Sequence, residues 1–277
     1  MDERLLNRLW NAVDTFFLSK VRSCYRFDRM SSMAISAGEP GLQIVRYLWC
    51  DYLGLRWDEV GRTPGPNVLS LVRTRFFSWP WYEVYDFLEL VLRVLRAYYS
   101  DSADGFAGRC NQVLEDECAA WRFVGMQIAE ITSEKEIVAV EQGMQDAAPL
   151  AGVQAHLRRA LELYAGKESP DYRNSIKESI CAVESLACII AGEPKADLAK
   201  ALRIIEERSH VEMHGALKAA FDRLYGYTSD EGGVRHKMLE EDKVGRAEAQ
   251  YMLVACSAFV SYLIAKSTEA GIDLTAK

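Results

Sequence analysis

The sequence predicts a mainly α-helical protein in two parts: an N-terminal helical domain with one small β-hairpin, residues 1–147, and a C-terminal helical bundle, residues 148–277. Three observations carry this prediction. Apolar residues recur at three- and four-residue intervals through most of the chain, the period of a helix with one buried face. One short stretch alternates instead, as a strand does. The length of 277 residues exceeds what one compact core usually organises, since domains settle at about 100 to 150 residues.

The elements follow in order. Leu5, Leu9, Val13 and Phe16 or Phe17 give a first helix over Asp2 to Lys20. A turn-rich stretch, Ser31 to Gly41, precedes a second helix that runs to about Tyr52. Gly61-Arg62-Thr63-Pro64-Gly65-Pro66 reads as a loop. Helices are then expected over Val68 to Phe77, Trp81 to Tyr99 and Ala103 to Ala120. The alternation around Gly125, from Trp121 to Ile131, marks the hairpin. Ser133 with Glu136 three residues on has the capping-box pattern, opening a helix that fades near Gly143, and Gln145 to Pro149 is the expected boundary.

In the second part, Leu150, Val153, Leu157, Leu161 and Tyr164 line a helix that stops at Gly166. Ser169-Pro170 places a capping serine ahead of a proline at the first helical position, and that helix ends at Gly192. Helices over Lys195 to Arg208 and Ala216 to Tyr225 follow. Arg246 to Lys266 closes the bundle, with Met252, Leu253, Cys256, Phe259, Val260 and Leu263 facing inward.

Composition narrows the function. About half of the residues are apolar and about a quarter charged, the balance of a globular protein. The net charge of −7, without a lysine or arginine block, argues against tight general binding of nucleic acid, so any RNA contact must be local. The seven cysteines are scattered and never spaced as Cys-x-x-Cys, which fits reduced thiols in a cytoplasmic protein. The N-terminus opens directly into an amphipathic pattern, without the layout of an export signal. The apolar run Tyr251 to Ala265 is shorter than the ~20 residues that span a bilayer, so no membrane association is expected. Phosphate-binding glycine loops, dinucleotide fingerprints and nucleophile elbows are missing, which leaves ATPase, dehydrogenase and hydrolase readings without support and implies no cofactor.

Several residues could carry chemistry. Arg173, Lys177 and Glu184 share one polar face of a helix, with Asn174 and Glu178 on its flank. They form either a phosphate-facing wall or a solvated face with ordinary ion pairs. His210 and His214 are four apart, which would suit a metal on one helix face, but no further ligand stands at metal spacing; a surface loop is the expectation and no metal site is assigned. His156 sits on a polar helix side next to Arg158 and Arg159. Trp79, Trp81, Tyr82 and Tyr85, with Arg73 and Arg75 upstream, could stack on bases, although aromatic residues at helical spacing usually form core.

Three stretches together are similar to a known family: Pro170-Asp171-Tyr172-Arg173-Asn174-Ser175-Ile176-Lys177-Glu178-Ser179, then Leu224 through Gly226-Tyr227-Thr228-Ser229-Asp230-Glu231-Gly232-Gly233-Val234-Arg235-His236, then Met252 to Val260. They resemble the C-terminal HEPN-like region of AbiJ-type abortive-infection proteins. Leu9-Trp10-Asn11-Ala12, the run Phe77 to Phe87 and the Arg122-Phe123-Val124 hairpin resemble the N-terminal part of the same proteins. The resemblance implies phage defence, a HEPN-like bundle that forms a homodimer, and a metal-independent endoribonuclease, with an N-terminal domain that docks a protein partner or a phage-derived trigger. Active HEPN nucleases carry an arginine, four to six residues, then a histidine. In the matching loop here the histidine is His236, and the nearest arginines are Arg235, adjacent, and Arg223, too distant.

Metal-free RNA cleavage needs a base for the ribose 2′-hydroxyl and a fixed cation for the charge that grows on phosphorus. In that loop His236 would be the base or acid, Arg235 the phosphate clamp and Asp230 the orienting group, with Arg173, Asn174 and Lys177 as the RNA-facing wall. The structural alternative for the loop is a capped helix start in which Gly232-Gly233 turns the chain and Arg235 pairs with Asp230. The functional alternative is a non-catalytic HEPN-like module that binds or dimerises, or a regulatory subunit of a defence or toxin system.

Overall fold

The computed structural model describes residues 1–23, 40–60, 65–207, 214–229 and 244–275. The chain forms two compact units, Met1–Ile128 and Ala129–Lys277, and is helical except for one hairpin among the described residues.

In the first unit, α1 (Glu3–Val13) starts where Asp2 accepts the N–H of Leu5 at 2.7 Å, and it buries Leu5, Leu9, Trp10 and Val13. A π-helical turn, Asp14–Leu18, joins it to α2 (Ser19–Ser23). The wider turn holds one extra residue, so Phe17 and Leu18 enter the core together with Val13 and Val21. After α3 (Pro40–Arg46) a second π-turn, Tyr47–Tyr52, buries Leu48 and Trp49. Then come the single turn α4 (Trp57–Val60) and α5 (Gly65–Phe76). Gly65 and Pro66 therefore lie in the first turn of α5 and not in a loop, in keeping with proline's tolerance where a helix N–H has no partner anyway.

Helices α6 (Trp81–Tyr98) and α7 (Ser100–Asp116) pack on each other and carry the hairpin of β1 (Arg122–Val124) and β2 (Gln127–Ala129). Gly125 opens its two-residue turn at φ 56°, a value that favours glycine. Two strands alone are marginal in water. Here Asn111 of α7 clamps the outer edge of β1: its Nδ2 donates to the Phe123 carbonyl at 3.2 Å and its Oδ1 accepts the Phe123 N–H at 2.6 Å. On the other strand, buried Glu89 of α6 accepts the N–H of Ile128 at 2.6 Å.

The second unit is a bundle of α8 (Glu134–Asp146), α9 (Ala151–Tyr164), α10 (Tyr172–Ala191), α11 (Leu198–Glu207), α12 (Gly215–Ser229) and α13 (Arg246–Glu269). Helix α10 packs on α9, α11 and α13, and α13 packs on α8, α9 and α10. All of the inward residues expected on α9 and α13 are buried, and Gly192 ends α10 at φ 68°. By length and composition α13 could cross a membrane, but its Met252, Cys256, Val260 and Leu263 are fully buried within this bundle.

Four local expectations are corrected. The capping box of Ser133 and Glu136 does not form; Ser133 makes no side-chain cap, and Glu136 instead accepts Nε2 of Gln250 on α13 at 2.8 Å. Helix α8 does not fade at Gly143 but runs on to Asp146, and Gly143 is where α13 crosses: a Cβ there would lie 2.8 Å from the Ser257 carbonyl oxygen. Helix α10 is capped by Asp171 and not by Ser169, since Asp171 accepts the N–H of Asn174 at 3.0 Å, leaving Pro170 outside the helix. Helix α12 also extends past Tyr225 to Ser229, so Leu224-Tyr225-Gly226 is helical.

Candidate functional site

Asp230, Arg235 and His236 lie outside the described residues, as does His210. The proposed RNA-facing wall is described, and its three members have different roles. Asn174 belongs to the helix start: its Nδ2 donates to Asp171 Oδ2 at 2.7 Å, and these side-chain and backbone hydrogen bonds hold the Asp171 carboxyl below its ordinary range. Arg173 is half-buried and Lys177 is exposed on the next turn. Beside them, Glu178 points at α9 and pairs with His156, Oε2 to Nδ1, at 2.7 Å. Together, the first three turns of α10 present Arg173 and Lys177 next to a carboxylate already engaged by an imidazole.

That His156–Glu178 pair was not anticipated. It stands at the edge of a cleft of about 460 Å3 whose wall includes His156, Cys181, Glu184, Ser185 and Cys188. The partners are 22 residues apart in sequence, and only the packing of α9 on α10 joins them. The regular placement of polar residues on α10 was the one available signal.

The start of α13 is held by a second polar network. Arg246 pairs with Glu130 at 3.3 Å, Tyr164 donates its hydroxyl to the Glu130 carbonyl at 3.1 Å, and Gln250 lies 3.2 Å from the same hydroxyl. Burial pushes the Tyr164 phenol up to about 12, so it stays a neutral donor. The network fixes the chain two residues after the segment that carries Arg235 and His236 leads back into the described residues.

The other candidates resolve into packing and capping. Trp79 packs against Tyr52 and Phe87, and Tyr85 is buried against Trp81 and Trp121, so these rings meet edge-on or tilted, while Trp81 itself stays exposed. His214 is exposed and accepts the N–H of Ala216 at 3.2 Å on Nδ1 at the start of α12. Among the described residues no three His, Cys, Asp or Glu side chains are grouped so as to hold a metal ion.

The arginine-to-histidine spacing that is absent around His236 occurs elsewhere in the chain. Six residues separate Arg203 from His210, and five separate Arg208 from His214. Arg203 is exposed on α11, where it pairs with Glu207 at 3.5 Å, and His214 directly precedes α12, while Arg208 and His210 lie outside the described residues. The spacing is legible in the sequence, where His210 and His214 also stand four residues apart.

Residues 1–146 match the model of the family described as AbiJ N-terminal domain 4, and the chain belongs to that family. It is thus an abortive-infection, defence-type protein. No curated protein and no solved structure matches the chain. The matched region ends with α8, whereas packing groups α8 with the second unit through its crossing with α13.

Proposed function

We propose that the second unit is a HEPN-like module that cleaves RNA without a metal, acts as a cytoplasmic homodimer, and is controlled through the first unit by a protein partner or a phage-derived trigger. The observation that carries this reading is the spaced arginine and histidine at the α11–α12 connection, Arg203 with His210 and Arg208 with His214, inside a helical bundle attached to an AbiJ-type domain. A histidine there would take the proton of the ribose 2′-hydroxyl, and an arginine would stabilise the phosphorane. The Asp230, Arg235 and His236 set is the competing location for the same chemistry. Arg173 and Lys177 remain the proposed contacts to the RNA backbone.

A second reading is favoured by one observation: the loop with Arg235 and His236 lacks the spaced arginine, as it would in a HEPN-like module kept only for binding, dimerisation or regulation. Incubating the purified protein with total cellular RNA in EDTA separates the two. Cleavage by the wild type that is lost in His210→Ala or His214→Ala, and kept in His236→Ala, assigns the chemistry to the α11–α12 connection. Loss only in His236→Ala moves it to the other loop. RNA left intact by the wild type, even from cells infected by phage, would favour the non-catalytic module.

A further inference from the structure

Helix α13 carries no charged residue from Ala249 to Ala265, although only part of its circumference is covered by the bundle. Its inward side is Met252, Leu253, Cys256, Phe259, Val260 and Leu263. At 3.6 residues per turn, the opposite side is the row Tyr251, Ala255, Ala258, Tyr262 and Ala265. Tyr251 is 58% exposed, the highest value among the large apolar side chains described. Ala258 and Ala265 are exposed, and Ala255 and Tyr262 are half-buried. The outer side of a surface helix ordinarily carries charged residues, so a charge-free row over about four turns has the character of an interface.

The row fits a second copy of itself. Its spacing, alternating steps of four and three residues, is that of a helix-pairing seam, and from Tyr251 to Tyr262 it reads the same from either end: Tyr, Ala, Ala, Tyr. An antiparallel copy therefore sets Tyr251 against the partner's Tyr262, and Ala255 against the partner's Ala258. Such self-complementarity is what a twofold interface requires. The alanines let the two backbones approach at the centre, while tyrosine at the ends matches the composition of interface cores. Phe259 stacks on Tyr262 with ring centroids 5.9 Å apart, which holds that ring at the edge of the row. Charge selects the antiparallel arrangement. Glu248 and Lys266 flank the same side of the row at its two ends, so the twofold axis brings Glu248 next to the partner's Lys266 twice over. A parallel copy would oppose like charges. Within its own chain Glu248 accepts the N–H of Gly245 at 3.0 Å and Lys266 pairs with Glu269 at 2.5 Å; surface contacts of this kind are weak and readily shared.

We propose that the outer face of α13 is the surface through which this protein forms its homodimer, as two antiparallel copies about a twofold axis between Ala255 and Ala258. The proposal rests on the homodimer of the reading above and adds the surface that forms it. One helix against one helix, roughly 20 Å long at 1.5 Å per residue, is a small interface, so dissociation belongs in the micromolar range.

Analytical ultracentrifugation of the full chain tests the proposal. At about 100 μM the unsubstituted protein should sediment with close to twice the 31.3 kDa of one chain. Ala258→Glu places like charges beside the axis and should weaken the dimer about tenfold or more, while circular dichroism and the urea midpoint stay unchanged because Ala258 is exposed. Lys266→Glu should weaken it about threefold, and adding Glu248→Lys should restore it. A dimer that Ala258→Glu leaves intact would overturn the surface and leave the homodimer reading standing. A chain that stays monomeric at that concentration would overturn both. Flotation of the protein with phosphatidylglycerol-containing vesicles that is lost in Ala258→Glu would assign the face to a membrane instead and overturn the proposal.

Discussion

Replacing Gly143 by alanine tests the crossing of α8 and α13 in the second unit. The added Cβ would lie 2.8 Å from the Ser257 carbonyl oxygen, 2.9 Å from Ser257 Cβ and 3.0 Å from Ser257 Cα. Relaxed contacts between carbon atoms fall at about 3.5–4.0 Å, so α8 and α13 must separate by roughly half to one ångström. Two of the three near atoms are backbone and cannot swing aside. Overpacking of this kind costs about 1–3 kcal/mol. Alanine in place of glycine returns about 1 kcal/mol through helix propensity. The net expectation is a loss of about 1–2 kcal/mol, because backbone contacts put the cost in its upper range. For a unit of this size that lowers the melting midpoint by about 2–8 °C. The assay is urea unfolding followed by circular dichroism, with Gly152→Ala on α9 as the comparison, since nothing lies within 4 Å of a Cβ at that position. Gly152→Ala should be neutral or stabilising by up to about 1 kcal/mol. If both variants shift stability by the same amount and sign, the crossing does not depend on a glycine and the reasoning fails.

Other consequences follow from single contacts. Asn111→Ala removes both hydrogen bonds to Phe123 and strands its buried backbone, which should cost about 2 kcal/mol in urea unfolding; a change within experimental error would mean the hairpin does not need the clamp. Cys118 adopts φ 53°, a left-handed conformation that suits glycine, so Cys118→Gly should stabilise the first unit by about 1 kcal/mol, and a lower denaturation midpoint would contradict it. Burial pushes the Cys256 thiol from its ordinary 9.0 up to about 12. Its contribution to stability is therefore complete below the ordinary value and is lost as pH rises from there towards about 12, by up to about 1.4 kcal/mol per pH unit. Comparing urea midpoints of wild type and Cys256→Ala on either side of the ordinary thiol value checks this; parallel pH profiles would show that the thiol is not buried.

Much of the architecture could be read from local sequence, because helix and strand periodicity is set by neighbours within a few residues. The apolar series Leu150, Val153, Leu157, Leu161 and Tyr164 placed α9, and the alternation around Gly125 placed the hairpin. The resemblance of the first part to AbiJ-type proteins rested on particular residues, Leu9-Trp10-Asn11-Ala12, the run Phe77 to Phe87 and Arg122-Phe123-Val124. The spaced arginines and histidines between 203 and 214 are equally legible in the sequence.

Only the tertiary structure decided which polar groups meet. Ser133 and Glu136 have the sequence of a capping box, yet Glu136 finds Gln250, 114 residues away, because α13 lies alongside α8. Asp171 displaces Ser169 as the cap of α10, since its carboxylate reaches both the backbone and the side chain of Asn174. His156, unremarkable on its own helix, acquires Glu178 as a partner and a cleft to line. The sequence by itself determined the helices, the hairpin and the family of this protein; the packing of those helices determined its polar pairs and its cleft. The physical reason is range: periodicity records which face of an element is apolar, whereas a hydrogen bond between distant residues exists only after those faces have been buried against each other.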